Sequence, residues 1–379
     1  MSREPDVTYP PAQAVSPPGP ARRALPFDGG PDPVETAQSD AIDRIAAGAQ
    51  ARDRIPVFPH DAFAELARAG LLGVKVPAAG SSIPFADELR LVRDVSRADS
   101  SVGRILDGHF NAVERLTLAC PDTLDADERA EIAEGTLILG VWGADPGPGE
   151  GEPAFLRSDS LHGVKTFCSG AGGVRRALVL ARDGTAQSRL VYVDVSDERV
   201  VIDRSWFRGA GMRASESHRV IFDGVPVRAV LGGPGEIMRE PWFSRDAIRT
   251  TATWAGIAAG IVAAAFSVLR ERGEPGELIA LSVGRMRVAL ATIERWLAYA
   301  GDRAETELPL AGIAIEARWA IAGACREISE QAALACGSRP LATGDALARG
   351  RRDLDLFLLQ HRLEPLLARH GARTLTEGP

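Results

Sequence analysis

The hydrophobic pattern of this 379-residue chain changes twice, and these changes limit its fold more than any other feature. Residues 36–137 repeat apolar side chains at helical spacing, for example at Phe63 and Leu66. Residues 138–240 contain short β-rich runs separated by Gly, Asp and Ser, and residues 241–372 return to helical spacing. Because strands do not alternate with helices, the pattern does not favour a Rossmann-type sheet. It predicts an α+β fold with an N-terminal helical domain, a central antiparallel β-barrel or sandwich, and a C-terminal four-helix bundle.

Two segments have an unusual composition: a Pro-rich N-terminus and a long run without charged residues. Residues 1–35 are rich in Pro and have no apolar signal-peptide core, so we expect a disordered arm and a cytoplasmic protein. Residues 250–269 carry no charged side chain and are long enough to cross a bilayer. This run is solitary and consists mainly of Ala, Gly and Thr, which favours a helix buried in the bundle over a membrane span.

Composition excludes several classes of function. The formal net charge is -7 at pH 7, and no basic stripe with interleaved aromatic residues occurs, so we expect no nucleic-acid partner. The four cysteines have no metal-ligand spacing, which predicts buried thiols and no metal site. A hydrophobic content of 45% with 25% charged residues is typical of a soluble globular protein.

The most specific segment is GMRASESHRVIFDGVPV, residues 211–227. Gly211 and Arg213 begin it, and Asp223-Gly224 is a strong turn signal, so we expect a strand, a turn and a second strand. The order of residue types resembles the G-x-R-x-S and F-x-x-V-x-V/P motif of the acyl-CoA dehydrogenase superfamily. This resemblance covers nearly all of the chain after the arm. It implies a flavin cofactor, either FAD or reduced FAD or FMN.

In that superfamily the flavin ring is bound by two segments of the β-domain. The first is a T-E-P-like element, matched here by VWGADPG at residues 141–147, where Ala144 replaces the family's hydroxyl residue. The second resembles K-x-W/F-x-T/S-x-G and reads KTFCSGA at residues 165–171. It implies that Phe167 lies near the flavin ring and that the Ser169 hydroxyl approaches the N5 edge. The expected cofactor-binding residues are Trp142, Ala144, Phe167, Ser169 and Arg213.

The catalytic base of the dehydrogenases has no counterpart here. Members of the superfamily use a Glu that follows a paired glycine, and the equivalent position holds Gly344 or Thr343. A second family position, near residues 249–251, also lacks a carboxylate. Asp345 lies one position from the first and is the open alternative base for a thioester substrate, although an Asp at a helix start is commonly a cap.

Two histidines resemble a different branch of the superfamily. SVGRILDGHF at residues 101–110 is similar to the helix that lines the flavin pocket of the dibenzothiophene monooxygenase-like, flavin-dependent branch. RDLDLFLLQH at residues 352–361 is similar to the C-terminal ending of that branch. The resemblance implies that His109, Ser169 and His361 are catalytic. A structural role for either histidine is the open alternative.

The loop that binds the FAD pyrophosphate across a dimer also departs from the family pattern. The family's R-x-x-F-G is replaced by RERGEPGE at residues 270–277, which is shorter and lacks the Phe. This predicts loose flavin binding and supply of reduced flavin by a separate flavin reductase. By resemblance, a homodimer or homotetramer is expected.

Three functions are compatible with these residues. The first is a reduced-flavin monooxygenase that oxidises a small molecule. The second is an acyl-CoA dehydrogenase-like enzyme that uses Asp345 as its base. The third is a catalytically silent homologue that serves in binding or assembly. Fold alone does not choose among them.

Overall fold

The computed structural model describes residues 33–76, 82–360 and 362–377. Residues 1–32 of the predicted arm lie outside the described residues, and the first helix begins at Pro33, inside the predicted arm boundary. The N-terminal helices are α1 Pro33–Arg54, α2 His60–Arg68, α3 Phe85–Ala98, α4 Ser100–Glu114 and α5 Ala126–Glu134. Their apolar faces form one core with the C-terminal helices.

The N-terminus of α4 is capped by a carboxylate. The cap is Asp99, which accepts hydrogen bonds from the backbone N–H groups of Ser101 and Val102 at 2.9 and 3.2 Å. A carboxylate at this position satisfies two unpaired donors and carries the charge that a helix N-terminus prefers. Asp99 therefore fixes the start of the helix that crosses the site.

Within the described residues the β-domain is one seven-stranded sheet, and its strands lie inside the predicted zone 138–240. The strands are β1 Leu139–Trp142, β2 Phe155–Arg157, β3 Ser160–Cys168, β4 Arg176–Arg182, β5 Ser188–Asp194, β6 Val200–Asp203 and β7 His218–Leu231. The order β4-β2-β3-β7-β5 closes on itself because β5 also pairs with β4, which makes a barrel. The pairs β1–β4 and β2–β4 are parallel, whereas the prediction was wholly antiparallel.

The predicted turn at Asp223-Gly224 is wrong. Strand β7 runs without interruption through both residues and pairs with β3, β5 and β6. Leu161 pairs with Val225 and His162 pairs with Asp223, so Gly224 is the extra residue of a β-bulge, with φ +77°. A bulge with Gly in the left-handed region uses the same positive φ as a type I′ hairpin turn, and the Asp-Gly pair is compatible with both.

The C-terminal helices differ from the prediction mainly at their ends. They are α6 Trp242–Arg270, α7 Glu277–Arg303, α8 Ala311–Cys336, α9 Ser338–Thr343, α10 Ala346–Phe357 and α11 Glu364–Glu377. The apolar spacing of residues 344–369 predicts one helix, but the structure has two helices there, α10 and α11. Helix α6 is long and apolar enough to cross a membrane, but 67% of its most apolar window is buried inside the protein. It packs between α3 and α8 as a core helix, as the sequence predicts for residues 250–269.

Candidate functional site

A cavity of about 560 Å³ lies between the barrel and the helices. The barrel contributes Ala144, Phe167 and Ser169, and the loop before β7 contributes two more serines. Helices α4, α6, α8 and α10 form the opposite wall, which contains Arg104 and Arg318. The cavity is therefore a largely apolar space with hydroxyl groups on one side and cations on the other, as is typical of small-molecule sites.

The loop before β7 is held against α10 by its first residues. A Cβ atom on Gly211 would lie 2.1 Å from the backbone oxygen of Arg352, so only glycine allows this approach. The next residue, Met212, donates its backbone N–H to the carboxylate of Asp353 at 2.5 Å, and Ser100 donates to the other oxygen of that carboxylate. Burial raises the pKa of Asp353 to about 7. The glycine of the sequence motif thus sets the distance between the loop and the C-terminal helices.

Three serine hydroxyls form a chain along the barrel side of the cavity. Ser169 Oγ lies 2.8 Å from Ser217 Oγ, which lies 2.8 Å from Ser215 Oγ. Ser215 donates to the backbone oxygen of Met212 at 2.6 Å. The backbone supports the chain, since the N–H of Gly170 donates to the oxygen of Ser215 at 2.7 Å. Ser169 lines the cavity, and so do Ser215 and Ser217, to which the sequence motif assigned no role.

The two predicted flavin segments are joined by Lys165. Its ammonium group is 2.6 Å from the Asp145 carboxylate and donates to the backbone oxygen of Gly143 at 3.1 Å. The backbone N–H of Thr166 donates to the oxygen of Ala144 at 3.1 Å. Burial lowers the pKa of Lys165, and Asp145 opposes this effect. These contacts hold Ala144 in the cavity wall beside the C-terminal end of β3, which Ser169 directly follows.

The other predicted cofactor-binding residues are divided between the cavity and its surroundings. Phe167 lines the cavity, is 54% exposed, has φ +51° and contacts Trp206 edge-on at 4.9 Å between ring centroids. Trp142 is buried in the barrel core, and its indole N–H donates to the backbone oxygen of Ser169 at 3.1 Å. Arg213 lies in a short 3-10 helix and does not line the cavity. The structure therefore gives Trp142 a position that supports Ser169 rather than one that faces a ligand.

The structure does not bring His109 into the cavity, in contrast to the prediction. The side chain is fully buried, and Nε2 lies 3.1 Å from the backbone oxygen of Leu72. The backbone N–H of Leu139 donates to Nδ1 at 3.2 Å. Since a carbonyl oxygen only accepts, Nε2 carries the proton and the ring is neutral. His109 joins α4 to the first strand and to the segment after α2.

The buried position of His109 predicts a pH dependence of folding. Burial lowers its pKa to about 4, against 6.5 for a free histidine. A lowered histidine pKa means that its contribution to stability is complete above pH 6.5 and is lost as the pH falls toward 4. From pH 7 to pH 5 we expect a loss of about 2 kcal/mol from this residue, since one pKa unit corresponds to about 1.4 kcal/mol.

Urea unfolding of the His109→Gln variant checks this prediction. Gln keeps a donor and an acceptor but does not titrate, so the free energy of unfolding of this variant should fall less between pH 7 and pH 5. His370→Gln changes a histidine outside the core that contacts Glu316, and it should behave as the unmodified protein. Equal pH slopes for all three proteins would contradict the assignment.

The remaining predicted residues are His361 and Asp345. His361 lies outside the described residues. Asp345, the alternative base, caps α10 by accepting hydrogen bonds from the N–H groups of Leu347 and Ala348 at 2.9 and 3.3 Å, and it does not line the cavity. The cap explains why Asp follows Gly344, which ends α9 with φ +71°. The dehydrogenase alternative therefore has no base at Asp345.

Polar residues of α4 and α6 form a network that sequence reasoning missed. Arg104 pairs with the buried Asp107 at 2.8 Å, and Asn111 donates to the same carboxylate at 3.2 Å. These three residues repeat at helical spacing on α4, and this repeat could have indicated a polar stripe. Asp246 on α6 also lines the cavity and accepts a hydrogen bond from Arg115 at 2.8 Å.

Arg318 differs from the other charged residues of the cavity. It is 5% exposed, and its Nε and Nη2 atoms have no hydrogen-bond partner within the described part of the chain. The guanidinium lies over the Trp254 ring at 4.9 Å from the centroid. Burial lowers the pKa of Arg318 to about 10, so the group is charged at neutral pH.

No model of a known protein family matches the chain. L-evernosamine nitrososynthase from a Micromonospora species is 30% identical over 248 residues, which is 59% of this chain and 57% of that protein. The chain thus matches little more than half the length of this curated relative.

Two solved structures match almost completely in fold. TdsC, a dibenzothiophene monooxygenase from a Paenibacillus species, has a TM-score of 0.81 in its FMN-bound form at 19% identity, over 91% of this chain and 98% of TdsC. A nitrososynthase from Micromonospora carbonacea has a TM-score of 0.77 at 23% identity, over 91% of this chain and 98% of that enzyme. At these identities the similarity establishes a common fold.

Proposed function

We propose that this chain, which has the acyl-CoA dehydrogenase fold of these flavin monooxygenases, uses reduced flavin and oxygen to oxidise a small molecule in the cavity. The curated relative and both solved structures support this reading over the alternatives. Bound reduced flavin would supply the electrons that activate oxygen. Ser169, Phe167 and Ala144 would hold its ring, since they line one wall of the cavity.

The direction of the serine chain carries the proposal of a reduced flavin. Each hydroxyl has one proton, and Ser215 gives its proton to the carbonyl oxygen of Met212. Ser217 must then donate to Ser215, and Ser169 must donate to Ser217. The Ser169 oxygen is left to face the cavity as an acceptor. By the family resemblance, the N5 edge of the flavin would lie beside this oxygen.

This acceptor distinguishes the two redox states of a flavin. N5 of reduced flavin carries a hydrogen and can donate to Ser169, whereas N5 of oxidised flavin has only a lone pair. Reduced flavin gains a hydrogen bond, and oxidised flavin leaves two acceptors facing each other. A protein with this chain of hydroxyls should bind the reduced form more tightly.

Anaerobic titration with oxidised and dithionite-reduced FMN tests the proposal. We expect reduced FMN to bind about tenfold more tightly, which corresponds to about 1.4 kcal/mol. The Ser215→Ala variant should lose most of this preference, because Ser217 can then donate to Ser169 and Ser169 can donate to the ligand. Ser160→Ala, which removes a hydroxyl bonded to Arg157 at the surface of β3, should keep the preference. Equal or tighter binding of oxidised FMN by the unmodified protein would refute the proposal.

Reaction with oxygen also requires protection from water. Leu356 and Phe357 of α10 and Met212 of the loop before β7 line the cavity, and these side chains would exclude water from the ring and the substrate. Asp246 also lines the cavity and is bonded by Arg115 and Arg249, so its carboxyl group is held in place and would orient a substrate.

We also propose that a separate reductase supplies the reduced flavin and that the chain is a cytoplasmic homodimer or homotetramer. Residues 250–269 are not available as the contact between subunits because α6 is buried within one subunit. Helix α7 supports association better, since it exposes Leu278, Leu281 and Val288 along its outer side.

A further inference from the structure

We propose that Arg318 is a binding site for a carboxylate group of the substrate, so that the substrate class is a small organic acid with an apolar body. The inference rests on the proposed function in treating the cavity as the substrate pocket. It is carried by the charge balance of the cavity wall and by the position of the guanidinium.

The charged residues that line the cavity are Arg104, Asp246 and Arg318. Arg104 is neutralised by Asp107 at 2.8 Å, and Asp246 is paired with Arg115 and Arg249. The charge of Asp107 also reaches Arg318, but its carboxylate is already bonded by Arg104 and Asn111. One positive charge of the wall is therefore left without a counterion among the described residues, and it belongs to Arg318.

A buried cation without a partner is costly, and proteins retain such groups mainly where a ligand completes them. The surroundings of Arg318 are the Trp254 ring and the cavity, which also has Phe357 in its wall. Neither ring supplies a negative charge. An anion that enters the cavity would supply both the charge and the acceptors that the guanidinium lacks.

The geometry of the guanidinium favours a carboxylate. Its unpartnered nitrogens, Nε and Nη2, lie on one edge, and the two N–H groups of that edge match the two oxygens of a carboxylate. Both atoms are out of contact with water, so the side chain must turn on the Trp254 ring to present this edge. A single uncompensated charge matches a monoanion better than a phosphate dianion. The aromatic wall supplied by Phe357 and Phe243 matches an apolar or aromatic body.

Calorimetry with benzoate and benzamide on the flavin-free protein tests the proposal, since the two probes have the same shape and differ in charge. We expect benzoate to bind at least about tenfold more tightly than benzamide to the unmodified protein. Arg318→Met should remove this difference and leave benzamide binding unchanged. Arg295→Met, which removes an exposed arginine of α7, should have no effect.

Thermal unfolding supplies a second measurement that does not depend on a ligand. Replacement of an unpaired buried cation by an apolar side chain of similar length should raise the Tm of Arg318→Met by a few degrees. A Tm lower than that of the unmodified protein would show that Arg318 has a partner in the folded chain and would overturn the proposal.

Two other outcomes would also overturn it. The first is equal affinity of the unmodified protein for benzoate and benzamide, or a preference that persists in Arg318→Met. The second is that Arg318→Met weakens reduced FMN relative to reduced riboflavin, which would assign the arginine to the cofactor phosphate. Because benzoate is tested without flavin, failure of this site and failure of the flavin proposal give different results.

Discussion

Replacement of Arg249 by Met should destabilise the protein by about 3 to 5 kcal/mol, because it leaves two buried carboxylates without their shared cation. Arg249 is fully buried, bonds Glu88, and lies 3.0 Å from Glu114. Both glutamates are themselves fully buried. Although burial alone would raise the pKa of Glu114, Arg249 and Arg245 lower it to about 2. Urea unfolding at pH 7 measures the loss.

Two further variants separate the role of charge from that of shape. Arg249→Lys keeps the charge but cannot bond two carboxylates with a planar fork, so an intermediate loss is expected. Arg199→Met removes an exposed arginine paired with Asp197 at 2.7 Å and should cost less than about 1 kcal/mol.

The pH dependence supplies a further check on the Arg249 network. A lowered carboxyl pKa contributes stability above pH 4.5 that is lost as the pH falls toward 2, and Arg249→Met should remove much of this contribution. The difference between the variant and the unmodified protein should therefore shrink in acid. A constant difference, or a loss equal to that of Arg199→Met, would show that Glu88 and Glu114 do not depend on Arg249.

The order of domains was predictable because it depends on local periodicity, and the predicted fold is confirmed. Details that depend on pairing between distant segments were not predictable. Asp223-Gly224 has the backbone freedom of a turn, but the two residues form a bulge because β7 is long enough to pair with three strands. The break between α10 and α11 at residues 358–363 was also missed, since the apolar spacing continues across it.

The candidate site was predictable to a similar extent. Features set by a short local motif could be predicted from the sequence, and features set by packing between distant segments could not. Phe167 and Ser169 both line the cavity because they belong to one short local motif at the end of β3. For His109, helical spacing shows which face of α4 carries the side chain. It does not show which other part of the chain covers that face. Arg318 interrupts an apolar stretch of α8, and this charged residue at an otherwise apolar position can be recognised in the sequence. Only the packed structure shows that it lacks a partner among the described residues.

The second large effect is expected from Gly211→Ala. An added methyl group would lie 2.1 Å from the backbone oxygen of Arg352 and 2.8 Å from the backbone nitrogen of Asp353, and backbone atoms of a helix cannot turn away as a side chain can. Helix α10 and the loop must separate, so the bond from Met212 to Asp353 should break and Ser215 should lose its position. We expect a loss of about 3 kcal/mol, at the upper end of overpacking effects, with loss of reduced FMN binding.

Gly209→Ala is the matched control in the same loop. Its added methyl group would meet the flexible end of the Leu356 side chain at 3.2 Å, so a change of less than about 1 kcal/mol is expected. Urea unfolding and anaerobic titration with reduced FMN should separate the two variants in both measurements. If Gly211→Ala matched Gly209→Ala in stability and in flavin affinity, the contact between the loop and α10 would not organise the serine chain. The spacing of helix and barrel would then have to come from the interior contacts of α4, of which the His109 bonds to Leu72 and Leu139 are the first to test.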